Sequence, residues 1–219
     1  NIITIEDSVE YQLRGVNQIQ VNERIGMTFI TGLRTVLRQD PNIIMVGEVR
    51  DAETVEMAIR SALTGHIVLS TIHTNDAPST FTRLLDMGVA PYVIVSALSG
   101  VVAQRLVRRV CPDCAGEYEP TVDEQVILDQ YNIRIPLKKG TGCARCNDTG
   151  YKGRTALYEI VVLDETLKRM IIEERPDSDY RAYLKSIGFV SMFEDGLMKV
   201  EAGITTISEV LSVTIGSEV

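Results

Sequence analysis

An α/β fold with a parallel sheet is predicted by three observations. Short β-branched runs are apolar on both faces, helical patterns alternate with them, and acids stand just after the runs. The runs are residues 2–5, 43–46 and 67–71. Strands covered by helices on both sides read this way, as near-continuous apolar segments rather than alternating ones.

The elements follow in order. Thr28 can cap a helix carrying Phe29, Ile30, Leu33, Val36 and Leu37, which stops at Asp40-Pro41. The second run follows. Asp51 then opens a helix with Val55, Ala58, Ile59, Ala62 and Leu63 on one face, closed by Gly65 before the third run. Strand, helix and strand in that order make a βαβ unit. Asn75, Asp76 and Pro78 open another helix ending at Met87-Gly88, and a long helix is expected from Pro91 to about Arg109. Residues 111–150 change character, with four cysteines, clustered glycines and one short helical stretch at 122–131. From Arg154 a strand-like run at 156–162 leads into helical patterns at 165–174, 178–187, 193–202 and 207–213. The expected division is therefore an α/β core part at 1–110, a cysteine lobe at 111–150 and a mostly helical region at 151–219, with no internal repeat.

Charge narrows the function. The 219 residues hold 22 Lys plus Arg against 30 Asp plus Glu, a formal net charge of -8. That excludes a generic polyanion binder, so no nucleic-acid partner is expected. At 45% hydrophobic and 24% charged the chain reads as globular rather than disordered. Residues 1–110 carry ten arginines, eleven acids and no lysine, whereas residues 111–219 carry twelve Lys plus Arg against nineteen acids. The acidic excess thus belongs to the second half, and every cation of the first half is a guanidinium, suited to bidentate phosphate or carboxylate contacts and subunit interfaces. No stretch approaches ~18 uninterrupted apolar residues; the best, 90–107, is broken by Pro91, Ser96, Ser99, Gly100, Gln104 and Arg105. The first residue is Asn, and the strand pattern that follows lacks a basic n-region, so the sequence is expected to start inside a domain.

The cysteines fall in two pairs, Cys111-Pro-Asp-Cys114 and Cys143-Ala-Arg-Cys146, with 28 residues between them. Two thiolates on one tight knuckle reach a single tetrahedral Zn²⁺, and two knuckles complete a closed site. The gap exceeds the common ~15–20 residues, which a helical excursion absorbs. Two disulfides, a redox dithiol or an iron–sulfur cluster would use the same residues. No export signal is visible and no cysteine is left over, which favours zinc. With four protein ligands and no open position, such a metal is structural.

The strand ends carry the chemistry. Glu6, Asp7 and Glu10 follow the first run; Glu48, Arg50 and Asp51 follow the second. Ligands of open α/β sheets sit beyond the carboxyl ends of strands, and an apolar strand ending in an acid has the physical form of a Walker B element. Alone, an acid after a strand is usually only a helix cap. Both histidines of the chain, His66 and His73, flank the third run.

At this point the sequence resembles the bacterial secretion ATPases. NIITIEDSVEY at 1–11 is similar to their aspartate box, LRQDPNIIMVGEVRD at 37–51 to their Walker B, and ALTGHIVLSTIHTND at 62–76 to their histidine box. AQRLVRRVCPDC at 103–114, with Cys143 and Cys146, resembles the tetracysteine element of the pilus-assembly and type II secretion branches. The likeness extends through TALYE at 155–159 to the Gly196 region. It departs at Ser8, where proline is usual, which should loosen that turn without removing a carboxylate.

The resemblance implies a RecA-like ATPase core working as a homo-hexamer with ATP and Mg²⁺, Zn²⁺ in the tetracysteine lobe, and residence at the cytoplasmic face of the bacterial inner membrane. Membrane association would be peripheral, through a platform protein of the pilus or secretion machine. Glu6 would polarise the attacking water, Glu48 would organise Mg²⁺, and His73 would sense the γ-phosphate region. Asp7, Glu10, Arg50 and His66 would serve nucleotide binding, and Arg34, Arg38, Arg50 and Arg60 are candidates for interfacial or phosphate contacts. No G-x-x-x-x-G-K-[ST] occurs; the nearest glycine-rich stretch, at 140–143, belongs to the second knuckle. In this family that loop lies upstream of the aspartate box, so the chain is expected to be a C-terminal fragment, inactive alone. Pilus assembly is preferred over type II secretion on residues 74–79, and a retraction motor is disfavoured because such motors generally lack the cysteines. The alternative is a non-catalytic, zinc-stapled module that docks the platform protein.

Overall fold

The computed structural model describes residues 1–214. Along the chain run β1 (Ile2–Glu6), β2 (Asn17–Gln20), α1 (Phe29–Val36), β3 (Ile43–Val46), α2 (Ala52–Leu63), β4 (Ile67–Ser70), α3 (Ser79–Asp86) and α4 (Pro91–Ala97). They are followed by β5 (Gly100–Val110), β6 (Ala115–Tyr118), α5 (Val122–Gln130), β7 (Leu137–Gly140), β8 (Tyr151–Val162), α6 (Glu165–Ile172), α7 (Asp177–Ser186), α8 (Met192–Glu201) and α9 (Ile207–Thr214). These fold as two compact units. One comprises residues 1–74, 78–101 and 162–183; the other comprises, of the described residues, 75–77, 102–161 and 184–214.

The first unit holds a parallel sheet in the order β2-β1-β3-β4. Its register places Ile5 beside Ile19 and Val46, and Val46 beside Ser70. The carboxyl ends of β1, β3 and β4 are therefore level. Ile3, Ile5, Ile44 and Val46 are buried, and so are Leu33 and Val36 of α1 and Val55 and Ala58 of α2. Burying each such aliphatic side chain contributes about 1.5–3 kcal/mol. Both helices start where the sequence puts them. The Thr28 hydroxyl accepts from Thr31 N–H while the Thr31 hydroxyl accepts from Thr28 N–H, and the Asp51 carboxylate accepts from Thr54 N–H. Caps of this kind are worth ~1 kcal/mol each.

Two expectations change here. A fourth strand, β2, lies at the sheet edge; its polar Asn17-Gln-Ile-Gln20 carries no apolar run that would announce it. The long helix expected from Pro91 to Arg109 is instead the short α4 followed by β5. The reason is visible in the side chains. After Ser99-Gly100 the exposure alternates with period two, Val102, Gln104, Leu106 and Arg108 exposed and positions 101, 103, 105 and 107 more buried, as a strand places them.

In the second unit β5 pairs with β8, and β6 pairs antiparallel with β7. Their core is Val107, Leu128, Leu137 and Leu157 with Phe193 and Leu197 of α8 and Ile207 and Val210 of α9. Gly196 allows α9 to dock on α8, since a Cβ there would stand 2.5 Å from Val210 Cγ1. Because β5 and β8 each contribute to both units, the compact units do not follow the sequential division at 110 and 150.

Candidate functional site

The level strand ends bring three of the singled-out residues to one edge of the sheet. Glu6 ends β1, Glu48 follows β3 by two residues, and His73 follows β4 by three. Gly47 permits the close approach. Its N–H donates to Ile5 O at 2.7 Å, and a Cβ at this position would meet Ile5 O at 3.1 Å and Glu6 Cα at 3.3 Å. The β4 end is tied in by Thr71, whose hydroxyl donates to Gly47 O at 2.6 Å and whose carbonyl accepts from Val49 N–H at 3.0 Å.

Glu48 is engaged at both oxygens. The Arg50 guanidinium donates to Oε1, and His73 Nε2–H donates to Oε2 at 3.0 Å. Arg50 first, then His73, hold this carboxyl below the ordinary carboxylate range against the opposing effect of partial burial. Glu6 is held at Oε1, by the Thr4 hydroxyl and by Gln18 Nε2. Asp7 and Glu10 are exposed in the loop between β1 and β2, with Asp7 close enough to favour the charge on Arg50.

His66 does not join them. It precedes β4, whereas His73 follows it, and at ~3.3 Å per residue the four-residue strand spans ~13 Å between them. Its Nδ1 lies 2.9 Å from Ser61 O and 3.1 Å from the Thr64 hydroxyl, at the carboxyl end of α2. Flanking one strand put both histidines in the same motif, and the extended strand puts them at opposite ends. Of the four arginines, Arg50 reaches the acids; Arg34 pairs with Glu53 and Arg60 with Glu56, while Arg38 is exposed. Sequence reasoning overlooked Thr4, Gln18 and Thr71. Thr4 and Thr71 lay inside runs read as plain strand, and Gln18 lay in a strand that was not recognised.

The four cysteines are free thiols and converge, all Sγ atoms lying within 4.8 Å of one another. Cys111–Cys143, Cys114–Cys146 and Cys143–Cys146 are 4.0, 3.9 and 3.7 Å apart. A disulfide needs ~2.05 Å. Thiolates ~2.3 Å from a tetrahedral zinc stand about 3.8 Å apart, so the cluster fits that ion. Against the effect of burial, the N–H groups of Cys143 and Gly150, donating to its sulfur at 3.2 and 3.3 Å, bring the Cys146 thiol down to about 7. Burial pushes Cys114 up to about 11. The knuckles are joined by Arg145 on Asp113 at 3.1 Å.

The sequence profile described as "Type II/IV secretion system protein" matches residues 1–212. The chain belongs to the type II/IV secretion system protein family. Within it, the chain is 45% identical to the "Type II secretion system ATPase E" of Vibrio cholerae, over 98% of this chain and 42% of that protein. It is 48% identical to the "Type IV pilus assembly ATPase PilB" of Thermus thermophilus, over 98% of this chain and 24% of that one. The chain thus spans less than half the length of these curated relatives. Among solved structures it superposes on the pilus retraction motor PilT with bound ADP, with a TM-score of 0.67 and 27% identity, covering 97% of this chain and 52% of that one. Family membership and this superposition agree on an α/β fold. Among the described residues no helix is long and apolar enough to cross a membrane.

Proposed function

We propose that the chain is part of a longer motor ATPase of the secretion family that drives type IV pilus assembly as a homo-hexamer at the cytoplasmic face of the inner membrane, docked on a platform protein. The observation that carries this reading is the convergence of Glu6 with the Glu48–His73 pair at the carboxyl ends of adjacent parallel strands. A RecA-like core presents its acids at this position. The pilus assembly ATPases of Thermus thermophilus and Myxococcus xanthus, at 48% and 45% identity, support pilus assembly; the Vibrio cholerae type II secretion ATPase, at 45%, supports type II secretion as the alternative.

In this reading ATP is the substrate, and bound Mg²⁺ would supply neutralising charge for phosphoryl transfer. Glu48, a carboxylate kept ionised by Arg50, would help hold that ion. His73 steers Glu48 by holding Oε2. Glu6 accepts a proton from the attacking water, and Asp7 and Glu10 extend the negative edge. The four cysteines hold Zn²⁺ as a closed structural site. In the full-length protein Glu48→Ala is expected to lower ATP turnover by about two orders of magnitude, the scale of losing one preorganised charge. Zinc content by metal analysis should stay the same. Undiminished turnover would remove Glu48 from the machinery, and lost zinc would merge two sites described as separate.

A further inference from the structure

Glu6 is held asymmetrically. Its Oε1 accepts from the Thr4 hydroxyl at 2.5 Å and from Gln18 Nε2 at 2.9 Å, while among the described residues no group bonds Oε2. Thr4 and Glu6 are two apart on β1 and share a face; Gln18 of β2 stands opposite Thr4 in the register. Thr4 is 3% exposed, so its hydroxyl is fixed by the strand. Gln18 is fixed by the neighbouring loop. Its Nε2 also donates to Tyr11 O at 3.0 Å, and its Oε1 accepts from Leu13 N–H at 2.7 Å.

We propose that Thr4 and Gln18 are positioning residues that hold Glu6 by Oε1 and so reserve Oε2 for the attacking water. This rests on the reading of Glu6 as the group that takes a proton from water. A carboxylate free to rotate offers either oxygen in many directions; two donors on one oxygen fix the plane and leave the other oxygen's lone pairs aimed outward. Thr4 and Gln18 act through Glu6, so the effect belongs to turnover rather than affinity.

The test compares Thr4→Val, Thr4→Ser, Gln18→Met and Glu6→Gln in the full-length protein, by steady-state hydrolysis of MgATP. Val keeps the shape of Thr and suits a buried strand, and Met fills the volume of Gln without an amide. Thr4→Val and Gln18→Met are each expected to lower kcat roughly 10- to 100-fold with KM changed by no more than about twofold, the double variant losing little more than either single. Thr4→Ser, which keeps the hydroxyl, should restore kcat. Wild-type kcat in both Thr4→Val and Gln18→Met, with Glu6→Gln inactive, would overturn the proposal while leaving the role of Glu6 standing. A loss confined to KM would also overturn it. Full turnover in Glu6→Gln would overturn both.

Discussion

Both oxygens of the Glu48 carboxylate are held by cationic or donor side chains, Arg50 on Oε1 and His73 on Oε2. Arg50 and then His73 hold the Glu48 carboxyl below its ordinary range, so it stays ionised to a lower pH than an unperturbed carboxyl. A depressed carboxyl contributes stability that is present above its unfolded value and is lost as pH falls through its folded value. Replacing Arg50 by Gln removes the larger cause. In the full-length protein the acid limb of turnover should then move upward, toward the ordinary carboxylate range, as read from a pH–rate profile. The Arg50 side chain is 64% exposed, so the wild-type advantage should shrink as salt is raised. An acid limb that stays in place in Arg50→Gln would mean that some other group sets it.

Among the elements, the cysteine lobe is where backbone approach replaces side-chain packing. Gly140, at the end of β7, has no room for a Cβ, which would fall 2.0 Å from Gly150 O; that carbonyl also accepts from Cys111 N–H at 2.9 Å. Gly140→Ala must therefore push apart the strand that leads into the second knuckle and the turn that follows that same knuckle. It is expected to cost about 1–3 kcal/mol of stability by thermal unfolding, the range of overpacked sites, and to lower the zinc bound on purification. Unchanged melting and zinc would contradict the close approach. The cysteine spacing made this lobe legible in the sequence, and the α/β order, the caps at Thr28 and Asp51 and the acid-tipped strands were legible too. Other features depended on context that periodicity does not carry. Residues 100–110 hold apolar side chains at spacings that suit either period, and the Ser99-Gly100 break was the signal that a helix ends there. Edge strand β2 is polar because one side needs no cover, so it left no apolar trace. His66 and His73 were read as one motif because sequence distance does not show that a strand holds its ends apart.

For the whole molecule, the described residues bring Glu6, Glu48 and His73 to one sheet edge, and the sequence holds no phosphate-binding loop motif. No G-x-x-x-x-G-K-[ST] occurs in the 219 residues; in P-loop ATPases that loop is the phosphate clamp, supplying the nest of N–H groups and the lysine that hold the β- and γ-phosphates. The sheet points the same way. Among the described residues β4 pairs with β3 alone, and its Ile67 and Leu69 are 59% and 54% exposed. Parallel strands are ordinarily covered on both faces, and an open apolar edge invites pairing. We propose that the longer protein covers this edge and supplies the clamp. The 219-residue chain alone should then hydrolyse ATP negligibly while the full-length protein turns over. The β4 amides should exchange with solvent quickly in the isolated chain and slowly in the full-length protein. Turnover by the isolated chain at a rate comparable with the full-length protein would show that the clamp is dispensable; β4 amides equally exposed in both would show that nothing pairs with that edge.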